Sequence, residues 1–174
     1  MSEGEEIDVV DEHDSVVGST TVGEALKRGQ LHRAVAVVVL RSYGKILLQQ
    51  RSKRDLWHPG LWTLSSTGHV RKGESYAAAA ARELKEELGI EARPRLLGKY
   101  LIPPIRSGGL VERERVAMFE ARTDLPCIVD PTEVEGVKEV EVLRTIKMLD
   151  GDPLTPDAVL LLTEYLNLAK GGQG

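Results

Sequence analysis

The chain is poor in cysteine, in long apolar runs and in surplus positive charge, and each shortage excludes something. One cysteine, Cys127, stands among 174 residues, so no internal disulfide can form and a cytoplasmic protein is the expectation. The longest apolar runs, such as AVAVVVL at 34–40, fall far short of the ~20 residues that a membrane-spanning helix needs. The start, MSEGEEIDVV, has neither the basic segment nor the apolar core of a secretory signal. Lys and Arg number 23 against 27 Asp and Glu, a formal net charge of -4, which argues against holding nucleic acid through bulk charge. A phosphate-bearing partner would have to be held locally. Neither an internal repeat nor a low-complexity linker divides the chain. What is present, 41% hydrophobic and 29% charged residues, suits one soluble domain over 1–174 with a substantial core.

Along the chain, residues 1–30 read as a short N-terminal extension. Its apolar run IDVV meets the turn-prone DEHDS, and Thr21 and Glu24 have the spacing of a capping box for a short helix ending at Gly29. The core, about 31–150, opens with two β-branched and leucine-rich runs around Ser42-Tyr43-Gly44, the pattern of a hairpin. Nearly continuous apolar character over 34–40 predicts a central strand covered on both faces. A loop rich in Trp, Pro and Gly, LWHPGLW, follows at 56–62, and further strands are predicted at 95–102, 114–122 and 137–143. Thr155 as N-cap, Pro156 at the first helical position and Gly171 beyond the end predict a C-terminal helix over about 156–170. Strands interleaved with helices imply a mixed sheet packed between helices.

Residues 68–90, GHVRKGESYAAAAARELKEELGI, carry the chemistry. Between Ser75 and Gly89 a helix over 75–88 puts Ala77, Ala81, Leu84 and Leu88 on one face and Glu83, Glu86 and Glu87 on another. Arg82 is placed to pair with Glu86, four residues on, while Glu83 and Glu87 form a repelling pair worth a few tenths of a kcal/mol. Such a face is either solvated surface or a site for hard divalent cations, because Mg²⁺ takes carboxylate oxygens and completes its shell with water and phosphate. The glycine turn before the helix could bring the bare backbone carbonyl of Gly68 to the same ions.

Gly68, Glu74 and the run Arg82-Glu83-Leu84-Lys85-Glu86-Glu87-Leu88-Gly89-Ile90 resemble the complete Nudix box, with no departure at a specified position. The resemblance implies an α/β/α sandwich with a mixed central sheet, an enzyme that uses Mg²⁺ or Mn²⁺ to cleave a diphosphate linked to another moiety. It also implies that Glu83, Glu86 and Glu87 are metal ligands and that Glu74 and Arg82 hold the loop and helix in shape. The flanks LHRAVAVVVLRSYGKILLQQRS, HPGLWTLSSTGHV and VERERVAMF, within about 7–120, are similar to isopentenyl diphosphate isomerases of this fold and to the hydrolases nearest them. In the isomerases histidines and a Glu-x-Glu pair hold a metal, and His32, His69, Glu112 and Glu114 match four of those ligands. The remaining histidine position falls near Ala25, and Thr67 stands where the isomerases have a reactive cysteine. Moving a double bond needs a tuned proton donor that threonine cannot supply, so hydrolysis of a nucleoside diphosphate derivative or other organic diphosphate is favoured over isomerisation. A non-catalytic nucleotide-binding module is the further alternative.

Other residues keep two readings. His32 and His69 are metal ligands or hydrogen-bonded structural histidines, and His13 and His58 fit surface or turn positions. Glu112 and Glu114 are an exposed strand edge or the source of the catalytic carboxylate outside the box, with Glu114 or Glu112 the first choice and Glu133 and Glu135 in reserve. Arg51, Lys53 and Arg54 are candidates for a terminal phosphate. Trp57 and Trp62 stack on substrate or, more in keeping with their Pro-Gly setting, pack in the core. The expected partner is a small-molecule diphosphate, with no membrane and no bulk nucleic acid, and a homodimer is the assembly to test.

Overall fold

The computed structural model describes residues 3–55, 57–142, 144, 145 and 153–171. Met1 and Ser2 of the polar start, Leu56 of the tryptophan loop, Leu143 at the expected end of a strand and the last part of the expected core, 146–150, lie outside the described residues. From the N-terminus, β1 (Glu6–Val10) and β2 (Val16–Thr21) form a hairpin leading into α1 (Val22–Arg28). Next come β3 (His32–Leu40), β4 (Lys45–Arg51), the short β5 (Trp62–Thr63) and β6 (Ser66–His69), and α2 (Tyr76–Leu88). The order continues with β7 (Arg95–Leu101), β8 (Ile105–Ser107), β9 (Leu110–Glu112), β10 (Glu114–Arg122), β11 (Val134–Glu141) and α3 (Pro156–Gly171). No helix among the described residues is long and apolar enough to cross a membrane.

The fold is an α/β/α sandwich on a mixed sheet of nine strands, with β8 and β9 forming a separate hairpin. β3 is its axis. Its side chains alternate between faces: Val35, Val37 and Val39 pack against Ala79, Ala80, Leu84 and Leu88 of α2. Ala34, Ala36 and Val38 pack against Ala158, Leu161, Leu162 and Tyr165 of α3. Two buried faces explain the unbroken apolar run. β10 runs parallel to β3 along its length, from Glu114 opposite His32 to Arg122 opposite Leu40. β6 is antiparallel to β3 on its other side, with His69 opposite Ala34 and Gly68 opposite Val35. These two registers bring His32, His69 and Glu114 to one end of the sheet.

Most expected elements lie where the local signals put them. Thr21 Oγ1 caps α1 through Glu24 N and Gly29 closes it in the left-handed conformation. β10 matches 114–122, β7 stops one residue short of 102, and β11 begins three residues before 137. α3 starts at Pro156 as expected and runs through Gly171; the Thr155 hydroxyl binds Thr63 Oγ1 at 3.3 Å, tying the helix start to β5. The N-terminal hairpin was visible only as IDVV. It joins the sheet at Val9 opposite His32.

One expectation needs correction. The inward side of α2 is Ala79, Ala80, Leu84 and Leu88 together with Glu83 and Glu87, while Ala77 is exposed and Ala81 half-buried. Glu86 alone of the three box glutamates faces solvent. The helix buries Glu83 and Glu87 because it lies along a polar cleft at the end of the sheet, and this cleft adjoins the apolar stripe of Ala80 and Leu84.

Candidate metal and diphosphate site

α2 is fixed at both ends. The Ser75 hydroxyl accepts from Ala78 N at 3.2 Å, and Gly89, with φ 65°, returns its N–H to the last carbonyls. Along it, Arg82 organises the carboxylates. Its Nε and Nη2 donate to the two oxygens of Glu74 at 2.9 and 2.8 Å, and Nη2 also to the His69 carbonyl at 3.0 Å. Its Nη1 reaches Glu83 Oε1 at 2.6 Å and Glu86 Oε2 at 3.2 Å. Glu74 also accepts from Arg71 N at 3.0 Å, so loop, helix and strand end share one guanidinium. Burial opposes ionisation of Glu74, yet the bonds from Arg82 and Arg71 hold its carboxyl below the ordinary range.

Gly68 is required by space. A Cβ there would lie 2.2 Å from Glu83 Cδ and 2.3 Å from its Oε1, so the missing side chain is the seat of the Glu83 carboxylate. Glu87 receives Gln49 Nε2 and Thr67 N on its Oε2, both at 3.1 Å. Both glutamates are under 10% exposed. Burial pushes Glu83 up to about 7 against the pull of Arg82, and pushes Glu87 up to about 8 with Glu83 repelling it. Buried, mutually repelling carboxylates are costly unless a cation joins them. They open on a cleft that Glu86, Arg51, Arg71 and Glu133 also line.

A second cavity adjoins the first and shares Arg51, Thr67, Gly68 and His69 with it. His69 and Glu114 line it, and with the fully buried His32 beside them each offers a ligand atom, all within 4.8 Å of one another. His32 Nδ1 lies 2.8 Å from the Gln30 carbonyl, which can only accept. Nδ1 therefore carries the proton, and Nε2 turns its lone pair inward. Burial holds both imidazoles below their ordinary pKa, His69 well below it with His32 adding to the effect. Neither Nε2 has a hydrogen-bond partner among the described residues, and Glu114 Oε1 stands 3.6 Å from one and 3.5 Å from the other. Burial and then Asp157 raise Glu114 to about 8, and burial and then Glu114 raise Glu112 well above the carboxylate range. The inward lone pair of His32, the unpartnered Nε2 of His69 and a buried carboxylate fit a divalent cation with nitrogen and oxygen ligands.

The structure thus brings Gly68, Arg82, Glu83, Glu86 and Glu87 to one cleft, with Glu74 held on Arg82, and His69, Glu112 and Glu114 to its neighbour, with His32 buried beside His69 and Glu114. Glu112 and Glu114 are not an exposed edge: at 6% and 8% exposure they are interior. The parallel register with β3 sets Glu114 opposite His32, Glu112 ends the β8–β9 hairpin just before it, and both line a cavity with Asp157 and Leu161 of α3. Of the basic trio, Arg51 reaches both cavities, where it donates to Trp57 O at 2.8 Å and Asp55 Oδ2 at 2.6 Å. Lys53 and Arg54 are exposed and line neither, since the turn after β4 carries them outward. Glu133 lines the box cleft, whereas Glu135 is outside it beside Lys53. Trp57 is buried beside His58 and lines the second cavity, and Trp62 packs on the core. His13 is exposed and His58, with φ 50°, sits in a turn. Sequence reasoning missed Gln49, two residues before Arg51 and so on the same face of β4, a period that could have revealed it. It also missed Glu5, Asp55, Arg71 and Asp157, which only the folded chain brings near.

Comparison with known proteins places the chain among relatives of one family. The NUDIX domain family model matches residues 30–157. An isopentenyl-diphosphate Delta-isomerase 2 of Photorhabdus laumondii is 34% identical over 145 residues, 83% of this chain and 82% of its own length. A Nudix hydrolase of Pseudomonas aeruginosa is 32% identical over 167 residues, 95% of this chain and 96% of its own. The crystal structure of DR0079 from Deinococcus radiodurans superposes with a TM-score of 0.78 at 24% identity, covering 92% of this chain and 98% of that one. This last likeness speaks for the fold.

Proposed function

The chain belongs to the Nudix family, and on that premise we propose that it is a Mg²⁺- or Mn²⁺-dependent hydrolase of a nucleoside diphosphate derivative or another organic diphosphate. The observation that carries this reading is the cleft in which Glu83 and Glu87, desolvated and repelling, converge with the exposed Glu86. In this reading Glu83, Glu86 and Glu87 hold the cation, Gly68 makes room for Glu83, and Arg82 with Glu74 keeps the three in register. A divalent ion bound there neutralises diphosphate charge and acidifies a water. Glu133 lines the same cleft and takes the proton of the attacking water, a role for which its position suits it better than that of Glu114. Arg51 faces the cleft from β4 as a phosphate partner. His32, His69 and Glu114, with Glu112 behind them, hold a second cation.

The test is a panel of nucleoside diphosphate derivatives and simple organic diphosphates with Mg²⁺ or Mn²⁺, read by phosphate and nucleotide release. Monophosphate or inorganic phosphate products support the reading. Binding without turnover across the panel would leave a nucleotide-binding module in its place.

A second reading, isomerisation of isopentenyl diphosphate, is favoured by the buried histidine cluster and by relatives that carry that name. Against it stands Thr67. Its Oγ1 is buried beside both cavities with no hydrogen-bond partner among the described residues, and a hydroxyl holds its proton too tightly to protonate an alkene. With isopentenyl diphosphate in deuterated water we expect no carbon-bound deuterium by NMR. Deuterium entering carbon at a catalytic rate would replace hydrolysis with isomerisation.

A further inference from the structure

Glu5 lies outside the residues that match the family, yet it lines the box cleft together with Arg71. Arg71 belongs to the loop between β6 and α2, and the backbone of that loop is tied to β1 without help from the Arg71 side chain. Lys72 N donates to Glu6 O at 2.9 Å, Gly73 N donates to Asp8 Oδ2 at 2.9 Å, and Arg71 pairs with Ile7 as an antiparallel bridge. The side chain is turned to the cleft. Its Nε donates to the Glu5 carboxylate, and its Nη2 lies 3.6 Å from Glu86 Oε2.

Three arginines line this cleft, and they differ in how they are used. Arg82 divides its donors among Glu74, Glu83, Glu86 and the His69 carbonyl. Arg51 spends Nε and Nη2 on Trp57 and Asp55. The Arg71 side chain is 45% exposed at the cleft mouth, with both carboxylate partners on the cleft wall. Once Glu86 is committed to a cation, its attraction for Arg71 falls, and a phosphate on the same cation offers a doubly accepting surface suited to a guanidinium fork.

We propose that Arg71 is a substrate-binding residue that grips a phosphate of the diphosphate, and that Glu5 is its resting counter-ion, aiming the guanidinium across the cleft mouth. The N-terminal arm is thereby part of the substrate site. This rests on the diphosphate reading above. A pure structural latch between Glu5 and Arg71 makes the opposite demand, since either partner's loss would then matter equally.

The experiment is calorimetric titration of the full chain with methylene diphosphonate, which is not hydrolysed, in the presence of Mg²⁺, with thermal melts of each variant. Arg71→Gln is expected to weaken binding roughly ten- to a hundredfold. Arg71→Lys should regain part of the loss, and Glu5→Gln should bind at least as tightly as the parent. All three should melt near the parent because the backbone ties remain. Equal weakening by Arg71→Gln and Glu5→Gln, or a matching drop in their melting temperatures, would make the pair a latch and overturn the proposal. So would parental affinity in Arg71→Gln, or no binding by the parent. Turnover of the parent on the diphosphate panel is read separately and decides the hydrolase reading, so the two can fail independently.

Discussion

Gly68 and Glu83 show how closely one residue's absence of side chain can be matched to another's charge. The space a Cβ would need at position 68 is filled by the Glu83 carboxylate, which Arg82 holds from the other side. Gly68→Ala must therefore push a buried carboxylate off its guanidinium. We expect a loss of about 1–3 kcal/mol in stability, as for other overpacked sites, and a larger proportional loss of activity at limiting Mg²⁺ than at saturation. A variant that melts and turns over like the parent would show that Glu83 can move aside freely. Glu87→Gln tests the same cleft by charge. Glutamine keeps an acceptor for Thr67 N and removes one of two repelling buried charges, so the metal-free protein should melt at or above the parental temperature near pH 8. Its kcat/KM should nevertheless fall roughly a hundredfold or more. Near-parental activity would remove Glu87 from the ligand set.

Among the elements, α2 depends on a single polar hub. Arg82→Ala would leave Glu74 and Glu83, both largely buried, without their shared cation, and breaking such a group from one side costs about 3–5 kcal/mol. Partial rescue of activity by excess Mg²⁺ is the expected signature, since the ion replaces part of the missing charge. A deficit of equal size at every Mg²⁺ concentration would instead assign Arg82 to the substrate. The hub also marks where sequence reading stops. α1, β10 and the start of α3 were legible because caps, Pro156 and β-branched runs act within a few residues. β5 and β6 are short, and their pairing with β4 and β3 is set by chain far away. The box glutamates were recognisable as a set, but ranking Ala as interior and Glu as surface turned α2 the wrong way. A polar cleft reverses that rule for Glu83 and Glu87, and nothing in their local pattern says so. Lys53 and Arg54 were misleading for a related reason: adjacency to Arg51 in sequence is not adjacency across a turn.

For the whole molecule, the two clusters make stability a function of pH and, on the proposed reading, of divalent cation as well. Folded pKa values are raised from 4.5 to about 7 for Glu83 and about 8 for Glu87 and Glu114, with burial the leading cause. Between the unfolded and folded values the native state binds more protons than the unfolded one, so stability falls as pH rises through that window. The depressed histidines, His32 and His69, act on the other side: their contribution is lost as pH falls below 6.5, where the unfolded imidazoles take up protons. From pH 6.5 to about 8 the carboxylates therefore dominate. In a chelating buffer the melting temperature should drop by several degrees over this interval. On the proposed reading a divalent ion would bind the ionised carboxylates and compete with the protons, so added Mg²⁺ or Mn²⁺ should raise the melting temperature more at pH 8 than at pH 6.5. Glu87→Gln should flatten the metal-free profile, because it removes one of the titrating groups. The measurement is a set of thermal melts of parent and variant across the interval, with chelator and with each metal. A metal-free melting temperature that stays level or climbs from pH 6.5 to about 8 would mean the buried carboxylates do not carry the cost assigned to them here, and the case for a cation at their centre would lose its energetic basis.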